Sequence, residues 1–148
     1  MKIISSNKNL TPVQIEKIRI GQVKKFSIKV SEKLHNKFKK FSGDNSKIHN
    51  DLNFCKYNGY PKKVGYAFLL TSALSKIYGT LFPGGNELCL HQTCNFKRPY
   101  FVNDTLMFKI KVIQVNKSSK IITLNTEIIC SEKIIFEGQS VLKLSLKL

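Results

Sequence analysis

Apolar and polar residues alternate from Val23 to Val30, with Phe26, Ile28 and Val30 on one side, and this period of two predicts a strand. Ser31 then offers an N-cap, Leu34, Phe38 and Phe41 follow at helical spacing, and Gly43 stops the helix. Asn50-Asp51 caps a second short helix carrying Leu52, Phe54 and Cys55, which Asn58-Gly59-Tyr60-Pro61 breaks. Gly65 to Tyr78 is the most apolar segment. Phe68, Leu69, Ala73 and Ile77 share one face there, and Leu70 and Leu74 widen it, so a helix buried on most sides is expected. After a turn at Pro83-Gly84-Gly85 come alternating runs over Leu88–Phe96, Leu106–Val115, Ile121–Ile129 and Ile134–Leu146. The short links between the last three, Asn116-Lys117-Ser118-Ser119 and Ser131-Glu132-Lys133, suit antiparallel hairpins. One strand, a long buried helix and an antiparallel meander make an α+β domain with its sheet wrapped on the helix.

The length of 148 residues fits a single domain, read as residues 21–148, with residues 1–20 a polar arm or a poorly packed first element. Gly (8) and Pro (4) are too few for collagen-like chains, and no internal period suggests a repeat architecture. Met1 to Leu10 has no apolar core of a secretory signal, and no stretch approaches the ~20 apolar residues of a membrane span. Cys55, Cys89, Cys94 and Cys130 form no CxxC pair and read as buried free thiols. A cytoplasmic protein is therefore expected. His35, His49 and His91 lack metal-ligand spacing with the cysteines, so no metal site is expected.

Charge changes the picture of the surface. Lys+Arg total 25 against 9 Asp+Glu, a formal net charge of +16. Such an excess suits an anionic partner: a nucleic acid, a membrane surface or an acidic protein. Only Arg19 and Arg98 are arginines, however, and bidentate reading of phosphates or base edges favours Arg over Lys. Sequence-specific nucleic-acid binding is not expected. General attraction to anionic ligands is.

The segment FSGDNSKIHND, Phe41 to Asp51, gathers the polar residues that stand out. Asp44 and His49 straddle the junction of two predicted helices. A carboxylate and an imidazole brought together can hold a water and move its protons. On spacing alone, a turn or N-cap aspartate and a surface histidine is the simpler reading.

The surroundings extend the pattern. FSGDNSKIHND is similar to the FxxFSGDxNPxHxD signature of the MaoC-like, (R)-specific enoyl-CoA hydratase family. Val64 to Gly79, VGYAFLLTSALSKIYG, resembles that family's VAYGMLxxSLLSxLxG helix, and Leu81 to Leu106 its LPGxGxxxLxxxxxFxRPVxxGDTL strand region. The resemblance implies a hot-dog fold and a hydro-lyase acting on 2-enoyl and (R)-3-hydroxyacyl thioesters carried by CoA or acyl carrier protein, with no bound cofactor. Asp44 and His49 match the catalytic pair. The backbone N–H of Ala67 would stabilise the thioester oxygen, and Ser75 would orient the site or simply pack closely. Gly65, Tyr66 and Phe68 would line the acyl-thioester site. Arg98 would face the cofactor phosphates, the dimer interface or a surface partner. A homodimer or dimer of dimers is implied, and an acidic carrier protein would suit the positive charge.

Some positions depart from the pattern. Ser46-Lys47 replaces Asn-Pro, losing a ring that would stiffen the loop before His49. Ala67 replaces a glycine, and Asn103-Asp104 replaces Gly-Asp. A hot-dog thioesterase, a non-catalytic thioester-binding module and a basic nucleic-acid-binding domain are the competing functional readings.

Overall fold

A computed structural model of the chain describes residues 12–85 and 87–144, so the termini of the expected arm and of the last strand lie partly outside the described residues. The sheet comprises β1 (Val23–Lys29), β2 (Glu87–Gln92), β3 (Asn95–Phe96), β4 (Thr105–Asn116), β5 (Ile121–Cys130) and β6 (Lys133–Leu144). All pairings are antiparallel in the order β1-β4-β5-β6-β2, with β3 also pairing β6. The helices are α1 (Glu32–Ser42), α2 (Lys47–Asn50), α3 (Leu52–Tyr57) and α4 (Ala67–Thr80). This is the expected α+β, hot-dog architecture: one sheet curled around α4.

The period of two fixes which residues the sheet buries. Leu106, Phe108, Ile110 and Val112 of β4, Ile122, Leu124 and Ile128 of β5, and Phe136 and Leu142 of β6 have no more than trace exposure. They meet Leu69, Leu70, Leu74 and Ile77 of α4 in one core. Ile15 and Ile18 join it, so residues 12–20 are a packed first element, while residues 1–11 lie outside the described residues. The β5–β6 hairpin turns through Ser131 and Glu132, both at positive φ, as a two-residue turn between right-twisted strands requires.

Two polar positions inside the core tie the helix to the sheet. The Tyr78 hydroxyl lies 3.1 Å from Thr126 Oγ1 on β5 and 2.7 Å from Ser140 Oγ on β6. Ser140 donates to Gln92 Oε1 at 2.6 Å, and the Gln92 amide nitrogen is committed to the Thr93 carbonyl. One proton per hydroxyl then sets the direction: Thr126 donates to Tyr78, Tyr78 to Ser140, Ser140 to Gln92. Burial pushes the Tyr78 phenol up, which keeps its donor proton in place.

Several expectations need correction. Phe41 does not join the apolar face of α1 but stands 86% exposed. Predicted strand Leu88–Phe96 is divided into β2 and β3, with a register shift between Cys89 and His91. The break is where the chain crosses Gly138 of β6, at which a side chain would meet the Thr93 carbonyl and the Phe136 ring. Of the four thiols only Cys55 is buried; Cys89 and Cys94 are exposed, and all four are free. Gly65 and Tyr66 lie outside α4 as its extended entry. Among the described residues no helix is long and apolar enough to cross a membrane.

Replacing Tyr78 by Phe leaves the buried Thr126 hydroxyl without its acceptor and takes the donor from Ser140, which keeps its bond to Gln92, so urea unfolding should report a loss of about 1–3 kcal/mol.

Candidate active site

The site begins with caps. Ser31 accepts from the Leu34 N–H at 3.3 Å and starts α1, and Gly43 at φ 72° ends it in the left-handed conformation. The chain then reverses over four residues into α2. Asp51 accepts from the Phe54 N–H at 3.0 Å and begins α3. These turns set Asp44 just before α2 and His49 within it.

His49 is fixed at three points. Its Nδ1 lies 2.9 Å from the Val64 carbonyl, which can only accept, so the neutral ring carries its proton on Nδ1. The Nε2 lone pair is thereby left facing Asp44. His35, buried on α1, donates from Nε2 to the His49 carbonyl at 2.8 Å. Finally, the imidazole packs against the Tyr66 ring, tilted by 37° with centroids 4.1 Å apart.

Asp44 is held differently. One carboxylate oxygen, Oδ1, accepts from the Ser46 hydroxyl at 2.6 Å and the Ser46 N–H at 2.9 Å. Those two bonds lower the Asp44 pKa, with a smaller contribution from His49. Its other oxygen, Oδ2, lies 3.8 Å from His49 Nε2. That is too far for a direct hydrogen bond and near enough for one water to donate to both.

Tyr66 joins the two residues from beneath. Its ring is 2% exposed and packs against His35, His49 and Phe38, at centroid distances of 4.6, 4.1 and 5.2 Å. The hydroxyl donates to the Asp44 carbonyl at 2.9 Å and receives the Asn50 amide at 3.3 Å. Its own carbonyl receives the buried Tyr100 hydroxyl at 2.8 Å, a phenol that burial pushes up and so keeps protonated. Tyr66 therefore lies beneath Asp44 and His49 as well as in the cavity wall.

Gly65 is a packing requirement. Its N–H donates to the Tyr100 carbonyl at 2.7 Å, and a Cβ there would fall within the Tyr100 ring. Tyr66 then acts as N-cap of α4 without a side-chain cap bond, so the Ala67 and Phe68 amides of the first turn lack intrahelical partners. Ala67 has ordinary helical backbone, which needs no glycine. Asn103, in contrast, adopts φ 76°, a conformation that asparagine tolerates in place of glycine.

A cavity of about 700 Å³ brings Asp44, His49, Gly65, Tyr66, Ala67, Phe68 and Arg98 together, with Leu70 also in its wall. Phe68 is 68% exposed and meets Phe96 edge-on at 6.1 Å. Arg98 is anchored to β6 by a 2.9 Å bond to the Ile134 carbonyl, beside Lys97, which pairs with Glu137 at 3.0 Å. The cavity thus carries an acid–base pair, helix-terminal amides, apolar walls and cationic side chains.

Ser75 is not part of it. Two turns along α4, it is exposed and lines shallow clefts with Ser72 and Phe41 on one side and Tyr78 and Gln92 on the other. An orienting contact to the Asp44–His49 pair therefore does not form within this chain. His35, Ser46 and Tyr100 went unnoticed as site residues in the sequence. The only available signal for His35 was its place beside Leu34 and one turn before Phe38, on the buried face of α1. Among the described residues no group of three His, Cys, Asp or Glu side chains could hold a metal.

Comparison with known proteins agrees with the geometry. The MaoC-like domain model matches residues 16–134. The (R)-specific enoyl-CoA hydratase of Aeromonas caviae is 26% identical over 130 residues, covering 87% of this chain and 97% of that enzyme. Its solved structure, described as an (R)-hydratase involved in PHA biosynthesis, superposes with a TM-score of 0.83 over 88% of this chain and 99% of that one. A 3-hydroxybutyryl-CoA dehydratase of Methylorubrum extorquens is 21% identical over 110 residues, covering 74% and 70% of the two chains. The fold also recurs in the C-terminally truncated HadBC (3R-hydroxyacyl-ACP dehydratase) complex of Mycobacterium tuberculosis, with TM-score 0.69 at 14% identity over 85% and 98% of the chains. Because the family model spans most of its length, the chain belongs to the MaoC-like domain family, and its relatives place it with the hydratase/dehydratase kind.

Proposed function

We propose that the chain is a hydro-lyase interconverting 2-enoyl thioesters and (R)-3-hydroxyacyl thioesters. The observation that carries this reading is the 3.8 Å gap between Asp44 Oδ2 and His49 Nε2, opening into the same cavity as the start of α4. In the hydration direction one water donates to both groups. Its oxygen adds to Cβ while His49 Nε2 takes a proton. The charge passes to the thioester oxygen, which accepts from the Ala67 N–H at the positive end of α4. The imidazolium then protonates Cα, and ionised Asp44 beside it stabilises the cation meanwhile. Dehydration is the reverse, and each direction leaves the enzyme unchanged in charge.

Several features favour a carrier-bound thioester. Lys97 and Arg98 at the cavity edge suit the phosphates of CoA or of a carrier-protein arm. The excess of +16 would speed encounter with CoA or an acidic acyl carrier protein. Strand β2 is an outer strand of the sheet and exposes Leu88 and Leu90 at 53% and 50%. We take a second copy of the chain as its cover, giving a homodimer with a continuous sheet.

The hydro-lyase reading is tested with crotonyl-CoA and its longer and carrier-protein counterparts. Loss of the enoyl-thioester absorbance without thiol release is expected, whereas thiol release without hydration would make the protein a thioesterase. Asp44→Asn and His49→Ala should each lower kcat by about 10²–10⁴-fold with an unchanged circular-dichroism spectrum; turnover at the parent rate in either would overturn the assignment.

Asp44 acts in this scheme as a carboxylate, and the two bonds from Ser46 hold its pKa low. Ser46→Ala removes the hydroxyl that stabilises the carboxylate form. The Asp44 carboxyl titration, followed by carbon-13 NMR, should therefore move to higher pH in this variant. A titration left in place would show that Ser46 does not hold the carboxylate form.

A further inference from the structure

The Ala67 N–H belongs to the peptide that joins Tyr66 to Ala67, and the other end of that peptide is the Tyr66 carbonyl. The bond is trans, so the carbonyl and the N–H lie in one plane and point in opposite directions. Whatever fixes the carbonyl therefore aims the N–H. The Tyr66 carbonyl receives two donors: the Leu69 N–H at 3.2 Å and the Tyr100 hydroxyl at 2.8 Å. The first comes from α4 itself. The second comes from 34 residues away in sequence.

Tyr100 is placed to do little else. Its side chain is 2% exposed, and a hydroxyl facing a carbonyl can only donate. Burial raises its pKa, so the phenol keeps the proton it donates. The backbone of the same residue holds the preceding step of the chain, because its carbonyl accepts from the Gly65 N–H at 2.7 Å. Gly65 in turn makes room for the ring, since a Cβ there would fall within it. The family pattern has alanine and valine at the positions held here by Gly65 and Tyr100. Alanine would collide with the ring, and valine has no hydroxyl, so both differences serve the one contact.

We propose that Tyr100 is the positioning residue for the thioester-oxygen donor, its hydroxyl holding and polarising the Tyr66–Ala67 peptide. The role of the Ala67 N–H rests on the hydro-lyase reading above. A peptide whose carbonyl accepts a hydrogen bond becomes a stronger donor at its N–H, by about 10–30% per bond. One donor to a developing oxyanion is worth about 10²–10³-fold in kcat, so that fraction of its free energy amounts to about 2–8-fold.

Infrared difference spectroscopy of the full chain with butyryl-CoA, carbon-13 labelled at the thioester carbonyl, reads this donor without turnover. In the parent, binding should lower the carbonyl stretching frequency relative to free butyryl-CoA. Tyr100→Phe keeps the ring against Gly65 and removes only the hydroxyl, so it should lose about 10–30% of that shift. Its kcat for crotonyl-CoA should fall by about 2–8-fold, with KM kept within about twofold. Tyr78→Phe removes another buried hydroxyl that braces α4, and should lower stability while leaving the carbonyl shift at the parent value. A shift kept in full by Tyr100→Phe, or reduced equally by Tyr78→Phe, overturns the positioning role alone. If Tyr100→Phe loses its cooperative melt, the parent carries the test: butyryl-CoA should move the carbon-13 resonance of Tyr100 Cζ and not that of Tyr78, and an unmoved Tyr100 resonance overturns the proposal. Failure of the parent to bind butyryl-CoA, or binding without a carbonyl shift, overturns the reading of the Ala67 N–H and the proposal with it.

Discussion

The site depends on the contact between the Tyr66 ring and the His49 imidazole. Asp44 comes from the polar turn before α2 and His49 from that one-turn helix, segments that have little packing of their own. Tyr66 gives that turn a floor. The ring lies under the imidazole at 4.1 Å, and its hydroxyl holds the Asp44 carbonyl at 2.9 Å. The same residue is the N-cap of α4, and its carbonyl is fastened by the Tyr100 hydroxyl. The acid–base pair and the helix start are thus referred to one buried side chain, and the 3.8 Å gap between Asp44 and His49 is set relative to the Ala67 amide.

The sheet supplies the rigidity that this arrangement needs. Tyr78, three turns along α4 from the site, anchors the helix through hydroxyls of β5 and β6, and Gly65 lets the Tyr100 ring press directly on the extended segment leading into α4. Positions where the chain departs from its family's pattern are compensated locally. Lys47 lacks the stiffness of proline, yet His49 is held by the Val64 carbonyl, by His35 and by Tyr66. Ser46 holds Asp44 by its hydroxyl and its N–H together. Ala67 sits in ordinary helix, and Asn103 takes up the left-handed turn.

Elements with a strong local signal were legible in the sequence. Alternation over Leu106–Val115 and Ile121–Ile129 gave β4 and β5 nearly to the residue, and the caps Ser31, Gly43 and Asp51 are where expected. The gathering of Asp44, His49 and Ala67 on one cavity was legible through the resemblance of three ordered blocks, not through spacing. What stayed hidden depends on long-range placement. Phe41 has the spacing of a core residue, but at the end of α1 nothing covers it. The strand Leu88–Phe96 reads as continuous because its break answers to Gly138, some 45 residues away in sequence. His35 is an unremarkable helix residue until the fold sets the His49 carbonyl and the Tyr66 ring against it.

Tyr66→Phe is the most direct test of the account, because it keeps the ring contact and removes the hydroxyl's bonds to the Asp44 carbonyl and the Asn50 amide. Under the hydro-lyase reading, crotonyl-CoA hydration should lose about 10–100-fold in kcat, as expected when a reacting group shifts by a fraction of an ångström, while KM stays within about twofold. A raised KM with kcat unchanged would contradict the account, since it would make Tyr66 a wall of the acyl pocket and not the platform of the catalytic pair.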